Sequence, residues 1–145
     1  MSNRNLKFLE SLPQTVVYDI IDSPVGELVL IASDRGLYFV SWKRSDEMKI
    51  IKKLSQKPNH PILKETKKQL KEYLKGKLKN FNLPLVVIGT DFQKEAWRVL
   101  SKIPYGKTIS YKEQAIKLGD RNKLRAVGGA NGRNPHSIIV PCHRV

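Results

Sequence analysis

The residue pattern predicts a mixed α/β (α+β) first half followed by a helical second half. Residues 15–42 alternate β-rich runs with tight turn signals. From residue 90 onward, two capping-box spacings and apolar residues at helical period replace that pattern. Between them, Asn82-Leu83-Pro84 opens a short apolar run, which places the domain boundary within residues 84–90 and gives domains of 1–88 and 89–145.

In the first half, residues 16–22 form a half-alternating strand that ends at the turn Ser23-Pro24-Val25-Gly26. Residues 27–33 and 37–42 flank Asp34-Arg35-Gly36, a tight hairpin signal. Ser45 and Asp46 can cap a short helix on which Met48, Ile51 and Leu54 share a face. Residues 58–61 break it. A second helix is expected over 62–74, with Leu63, Leu70, Tyr73 and Leu74 inward, many lysines outward and Gly76 as its stop. Residues 85–88, Leu-Val-Val-Ile, are expected to form a short strand.

In the second half, Thr90 and Gln93 open a helix that offers Phe92, Ala96, Trp97, Val99 and Leu100 to a core. Pro104-Tyr105-Gly106 ends it. Ser110 and Glu113 open a helix to about residue 118, and after a short turn a third runs from near Lys123 to about Asn131. Two short helices joined by a glycine-containing turn make a helix-turn-helix candidate. The third helix carries adjacent Gly128 and Gly129, each costing roughly 1 kcal/mol against alanine in a helix interior. Close approach of a partner is one reason to tolerate that cost; a poorly formed helix, or simply a loop, is the plainer reading.

Composition narrows the function. Twenty-seven Lys and Arg against thirteen Asp and Glu leave a formal charge of +14, which suits a polyanion partner or a solvated basic surface. The excess forms no single tract: from Asp91 to the end there are eleven basic and four acidic residues. No apolar run reaches the roughly 20 residues of a membrane helix, and the first residues lack the apolar core of an export signal. The single cysteine, Cys142, excludes an internal disulfide and a multi-cysteine zinc site. An apolar run leads into Pro141-Cys142-His143-Arg144, so a thiol arrives at the end of a buried segment beside an imidazole and a guanidinium. Those neighbours favour a thiolate. His136 reads as an exposed loop residue, and His60 lies in the proline-bounded loop with no evident partner.

Asn134-Pro135, a five-residue spacer and Pro141-Cys142-His143-Arg144-Val145 together resemble the active-site signature of the O6-alkylguanine-DNA alkyltransferases. Ile109-Ser110-Tyr111 and Arg125-Ala126-Val127-Gly128-Gly129-Ala130 resemble that family's helix-turn-helix. Residues 92–100, ahead of Ile103-Pro104-Tyr105-Gly106, resemble its preceding helix and turn. The likeness covers residues 90–145 in order and spacing; the first ninety match loosely, through Pro-Val-Gly and Leu-Pro-Leu turns.

The resemblance implies a ribonuclease-H-like N-terminal domain and a winged-helix-like DNA-binding domain. It implies a single-turnover transferase for DNA repair, a monomer acting with DNA in the cytoplasm, nucleoid or nucleus. Cys142 is then the nucleophile that takes a methyl or alkyl group from guanine O6 in double-stranded DNA. His143 is its base through a water, Asn134 braces the turn before the active-site strand, and Tyr111 donates toward the departing purine. Arg125 fills the stack left by the flipped nucleotide, and Ala126, Gly128 and Gly129 lie in the minor groove. Lys112 and Asp120 occupy DNA-contact positions, the acidic Asp120 departing from the pattern. No cofactor and no metal are implied. Relatives continue past the motif with a glycine-rich loop and a final helix that supply a carboxylate to the motif histidine, and on this reading the chain lacks that segment. A transfer-incompetent DNA-binding module is therefore the alternative. A Cys-His hydrolase fits less well, for no third catalytic residue or oxyanion motif is evident.

Overall fold

The β-rich runs of the first half pair as their turns dictate. A computed structural model describes residues 5–120 and 122–145. It places β1 (Val17–Ile21), β2 (Leu28–Ser33) and β3 (Gly36–Trp42) in an antiparallel meander. β4 (Ser55–Gln56) joins β1 in parallel, giving the order β3-β2-β1-β4. Gly36 makes the hairpin possible. Its φ is +149°, and a Cβ there would sit 2.5 Å from the Pro84 carbonyl oxygen, so only glycine fits.

Both faces of this sheet are covered, which is why all six residues of β2 are buried and its alternation is lost. On one face, α1 (Asn5–Glu10) and α2 (Ser45–Ile51) bring Leu9, Met48 and Ile51 against Val29, Ile31 and Phe39. α3 (Pro61–Leu74) packs on β1, β2 and β3 with Leu63 and Leu70 fully buried.

Several expectations are corrected here. α1 carries no strong sequence signal; of its residues only Leu9 is buried. α2 stops at Ile51, because the next segment finds backbone partners on the sheet: Ser55 and Gln56 pair with β1, and the Lys57 N–H donates to the Tyr18 carbonyl. Leu54 thus packs at the margin of the core and does not extend the helix face. The run 85–88 is no strand. The Leu37 N–H donates to Pro84 O at 2.7 Å and the Val86 N–H to Leu37 O at 2.9 Å, a single parallel bridge. Beyond it Val87 and Ile88 are half-exposed.

His60 has two partners, contrary to the sequence reading. Its Nδ1 accepts the Ile62 N–H at 3.2 Å, capping α3 ahead of Pro61. A backbone N–H can only donate, so the ring proton sits on Nε2, which donates to Asp34 Oδ1 at 2.9 Å.

The contacts of the chain divide it into two units, one ending at Val86 and the other spanning Val87–Val145. The second is built from α4 (Asp91–Ser101), α5 (Tyr111–Lys117) and α6 (Leu124–Gly132), then a 3₁₀ turn, Cys142–Arg144. Both capping boxes form: Thr90 with Gln93 opens α4, and Ser110 with Glu113 opens α5. Ala96, Trp97, Leu100, Ala115, Val127 and Ala130 make the shared core. Two polar contacts set the helices in register. Trp97 Nε1 donates to the Ala130 carbonyl at 2.8 Å. The side-chain amides of Gln114 and Asn131 bond reciprocally at 2.9 and 2.8 Å, Gln114 being fully buried. No described helix is long and apolar enough to cross a membrane.

One ion pair ties α3 to the sheet. Asp19, on the central part of β1, is 5% exposed; Lys67 Nζ donates to its Oδ2 at 2.6 Å and Gln56 Nε2 to its Oδ1 at 3.0 Å. Burial pushes this carboxyl pKa up, but the hydrogen bonds from Lys67, Gln56 and the Ile20 backbone, with the Lys67 charge, bring it net below 3.8. A lowered folded pKa stabilises above the unfolded value, and that stability disappears as pH falls through the folded one. Lys67→Met should therefore cost about 3 kcal/mol in a denaturant titration at pH 7, since it strands a buried carboxylate. The gap from wild type should close once pH drops below 3.8. A constant gap down to acid pH would rule out the ion pair as its cause.

Candidate active site

The segment after α6 is organised by one side chain. Asn134 is buried; its Oδ1 accepts the His136 N–H at 3.0 Å and its Nδ2 donates to the Val140 carbonyl at 2.7 Å. The His136 carbonyl in turn accepts the Val140 N–H at 2.9 Å. Residues 136–140 are thereby closed into a loop with Asn134 bonded at both ends. His136 is only 1% exposed, so it is no exposed loop residue as the sequence suggested; its backbone is engaged on both sides of the loop.

Closing the loop this tightly forces two three-residue turns. The Ile139 N–H reaches the Ser137 carbonyl at 2.8 Å around Ile138, whose φ is +72°. That is the strained γ-turn, a conformation a β-branched residue rarely adopts. The Cys142 N–H reaches the Val140 carbonyl at 2.9 Å around Pro141, at φ −82° and ψ 69°. That is the relaxed inverse γ-turn, whose φ a proline supplies. Ile138, Val140 and Pro141 are buried, and Cys142, next in line, is partly exposed. The apolar run anchors the turn and leaves the thiol at the surface.

The residues after the cysteine are held by a second anchor. The Arg144 carbonyl accepts the Ile109 N–H at 2.9 Å, its guanidinium donates to the Ile103 carbonyl, and it lies 5.7 Å from the Tyr105 ring centroid. Tyr111 and Cys142 are thus each two residues from one backbone hydrogen bond, between Ile109 and Arg144. Tyr111 stands at the first turn of α5, half-exposed. His143 is exposed. Such desolvation as its ring suffers disfavours the imidazolium, and the Arg144 charge adds to it, so its pKa lies below 6.5.

The remaining predicted residues lie on or between α5 and α6. Lys112, Arg125 and Ala126 are exposed. Gly128 and Gly129 have helical backbone, and a Cβ built on either meets nothing within 4 Å. Neither conformation nor internal packing requires glycine there. Asp120 is committed to the turn: its Oδ1 accepts the Asn122 N–H at 2.9 Å and its own N–H bonds the Ala115 carbonyl. Lys123 places its ammonium 5.4 Å over the Phe92 ring. Among the described residues no group of three or more His, Cys, Asp or Glu could hold a metal ion.

Two contributors escape sequence reasoning. The anchoring part of Arg144 depends on contacts 35 to 41 residues away. The Gln114–Asn131 pair had one local signal, a polar residue beside Ala115 on the buried face of α5.

Comparison with known proteins places this geometry. The family model described as 6-O-methylguanine DNA methyltransferase, ribonuclease-like domain, matches residues 16–87; the one described as its DNA binding domain matches 91–145. A methylated-DNA–protein-cysteine methyltransferase from Methanosarcina barkeri is 45% identical over 132 residues, 88% of this chain and 80% of its own length. The constitutive enzyme of that name from Bacillus subtilis is 39% identical over 130 residues, 88% and 79% of the two chains. Among solved structures, the O6-methylguanine methyltransferase of Mycobacterium tuberculosis aligns at a TM-score of 0.79 and 39% identity, covering 90% of this chain and 78% of that one. The M. tuberculosis protein in complex with DNA aligns at 0.78 and 39% identity, with 89% and 77% covered. With both family domains matched along its length, the chain belongs to the 6-O-methylguanine DNA methyltransferase family.

Proposed function

We propose that this protein repairs alkylated DNA by moving a methyl or larger alkyl group from guanine O6 in a duplex to Cys142 Sγ. The observation that carries the reading is the Asn134-braced turn, which presents the one cysteine of the chain at the surface, two residues from the contact with the start of α5.

Neutral His143 takes the thiol proton, through a water. Sγ then bonds to the alkyl carbon as the carbon–O6 bond breaks, and that electron pair leaves with the guanine. The Tyr111 hydroxyl donates a hydrogen bond to the departing purine, easing its charge until protonation restores guanine. The thioether has no route back, so each monomer reacts once and needs no cofactor. An O6 substituent inside a stacked duplex is out of reach, so the nucleotide must rotate out. The exposed Arg125 fills the gap, Lys112 contacts backbone phosphate, and Asp120 shapes the turn that presents α6. Ala126, Gly128 and Gly129 give α6 a smooth side for a minor groove about 6 Å wide. The open space around both glycines supports this, because an external surface explains what internal packing does not.

The direct test is intact mass after incubation with duplex containing O6-methylguanine. A gain of one methylene, mapped to Cys142 and missing in Cys142→Ser, is expected. No gain from a folded, DNA-binding sample would leave only a binding module. The pH profile of transfer tests the base. The group must be neutral to accept a proton and its pKa is lowered, so the acid limb should have its midpoint below 6.5 and vanish in His143→Gln. A midpoint at or above 6.5 would assign the base elsewhere. For α6, Gly128→Ala should stabilise the fold by about 0.4–1 kcal/mol in thermal or denaturant unfolding. The same change should weaken duplex binding. Stabilisation with unaltered binding would remove α6 from the groove.

A further inference from the structure

The basic excess of the first unit is not spread through it. Residues 1–47 hold five basic and seven acidic residues, whereas residues 48–80 hold eleven lysines, no arginine and two glutamates. The fold sorts these lysines. On α3, Lys67 turns toward the sheet, where Asp19 and the Pro58 carbonyl hold it. Lys64, Lys68, Lys71 and Lys75 are exposed and, among the described residues, form no ion pair.

Their spacing of four, three and four residues puts them on one stripe. At 3.6 residues per turn they fall within about 60° of arc, along about 16 Å of helix axis. Glu72 lies one turn from both Lys68 and Lys75, the geometry for helix ion pairs, yet pairs with neither. Glu65 is occupied by Gln69. The opposite face buries Leu63, Thr66, Gln69 and Leu70, so the stripe takes no part in the core. Four aligned like charges repel one another and weaken the helix they stand on. A polyanion laid along them would relieve that repulsion and release counterions.

We propose that the lysine stripe of α3 is a second nucleic-acid contact, which engages the phosphate backbone of duplex DNA without reading sequence. It rests on the proposed function insofar as duplex DNA is the partner of the second unit. Lysine suits such a surface, because a flexible, strongly hydrated point charge follows phosphates of any sequence, whereas planar arginine favours fixed two-point recognition. The consequence is retention on undamaged DNA, with non-specific affinity added by a surface that does not touch the lesion.

The experiment is the salt dependence of binding to an unmodified duplex of about 30 base pairs, a length of about 100 Å. The test protein carries Lys64→Gln, Lys68→Gln, Lys71→Gln and Lys75→Gln together. Glutamine nearly matches lysine in helix propensity, and circular dichroism checks the fold. A control carries Lys49→Gln, Lys52→Gln, Lys53→Gln and Lys57→Gln, which removes the same charge from exposed positions outside α3. The stripe variant should lower the log–log salt slope by about 3–4, near 0.9 for each phosphate no longer neutralised. The control should change it by less than half as much, and methylation of Cys142 at saturating DNA should be unchanged in both.

Equal losses in the two variants would overturn the proposal in favour of bulk charge. An unchanged slope in the stripe variant, with binding still weakened by Arg125→Ala, would overturn it while leaving the proposed function intact. Absence of salt-dependent duplex binding by the wild type would overturn both. A stripe-dependent preference for duplex RNA or for anionic phospholipid vesicles over duplex DNA would replace DNA as the partner.

Discussion

The carboxamide of Asn134 is the constraint on which the site depends. One planar group supplies an acceptor to His136, two residues on, and a donor to Val140, six residues on, and a short carboxamide holds both in fixed geometry. Aspartate could not donate, and alanine would take the acceptor from the buried His136 N–H and leave the Val140 carbonyl only the Cys142 N–H. With those ends tied, residues 136–140 have little choice of path. Ile138 takes a left-handed conformation costing about 1–3 kcal/mol, offset locally because Ile138 and Val140 are buried and the loop's backbone groups are bonded. The thiol's position is a by-product of that closure.

The clamp positions Cys142 only if α6, which leads into Asn134, is itself fixed. Hydrophobic packing alone does this poorly, because α6 is poor in large side chains: its buried residues are Val127, Ala130 and Asn131. Polar contacts of defined direction take over. Trp97 fixes the Ala130 carbonyl and Gln114 fixes Asn131, so two successive residues of α6 are bonded to two different helices. Burying the Gln114–Asn131 pair carries a desolvation cost that its two reciprocal bonds answer in full, and such fully satisfied pairs specify register more than they add stability. Arg144 closes the arrangement from the far side of the cysteine, so the 3₁₀ turn is held both before and after Cys142.

Elements with local chemistry were legible in the sequence: the hairpin at Asp34-Arg35-Gly36, both capping boxes, and helices α3 to α6 within a residue or two. What was illegible depends on partners distant in sequence. α1 docks through Leu9 and an Asn5–Glu47 hydrogen bond spanning 42 residues, so its local pattern is weak. Residues 85–88 have strand composition, but their pairing is a single bridge at Leu85, with Val86 beside it, and Val87 and Ile88 are exposed. His60 and His136 looked idle, because the acceptor of one is in a different turn and the other is buried with its backbone bonded to Asn134 and Val140. For the site, the family resemblance pointed to Cys142, Asn134 and Tyr111 without geometry; the positive φ at Ile138 runs against the preference of its residue type and no propensity would have found it.

The places where local rules fail have a common location. Gly128 and Gly129 weaken α6, Ile138 strains the loop, and Cys142 is a free cysteine left partly exposed, all between residues 128 and 142. The first unit shows a different kind of departure, four lysines on α3 that form no ion pair among the described residues, while its described core is buried and its strands paired. A segment tuned for stability would fill the open space at the glycines and relax the turn at Ile138, and ordinary substitutions could do both. The strain at Ile138 has a readable internal purpose, since it sets the path to Pro141 and the thiol. The glycines have none among the described residues, since a Cβ on either meets nothing within 4 Å, and that open side is what the proposed approach of α6 to a duplex draws on.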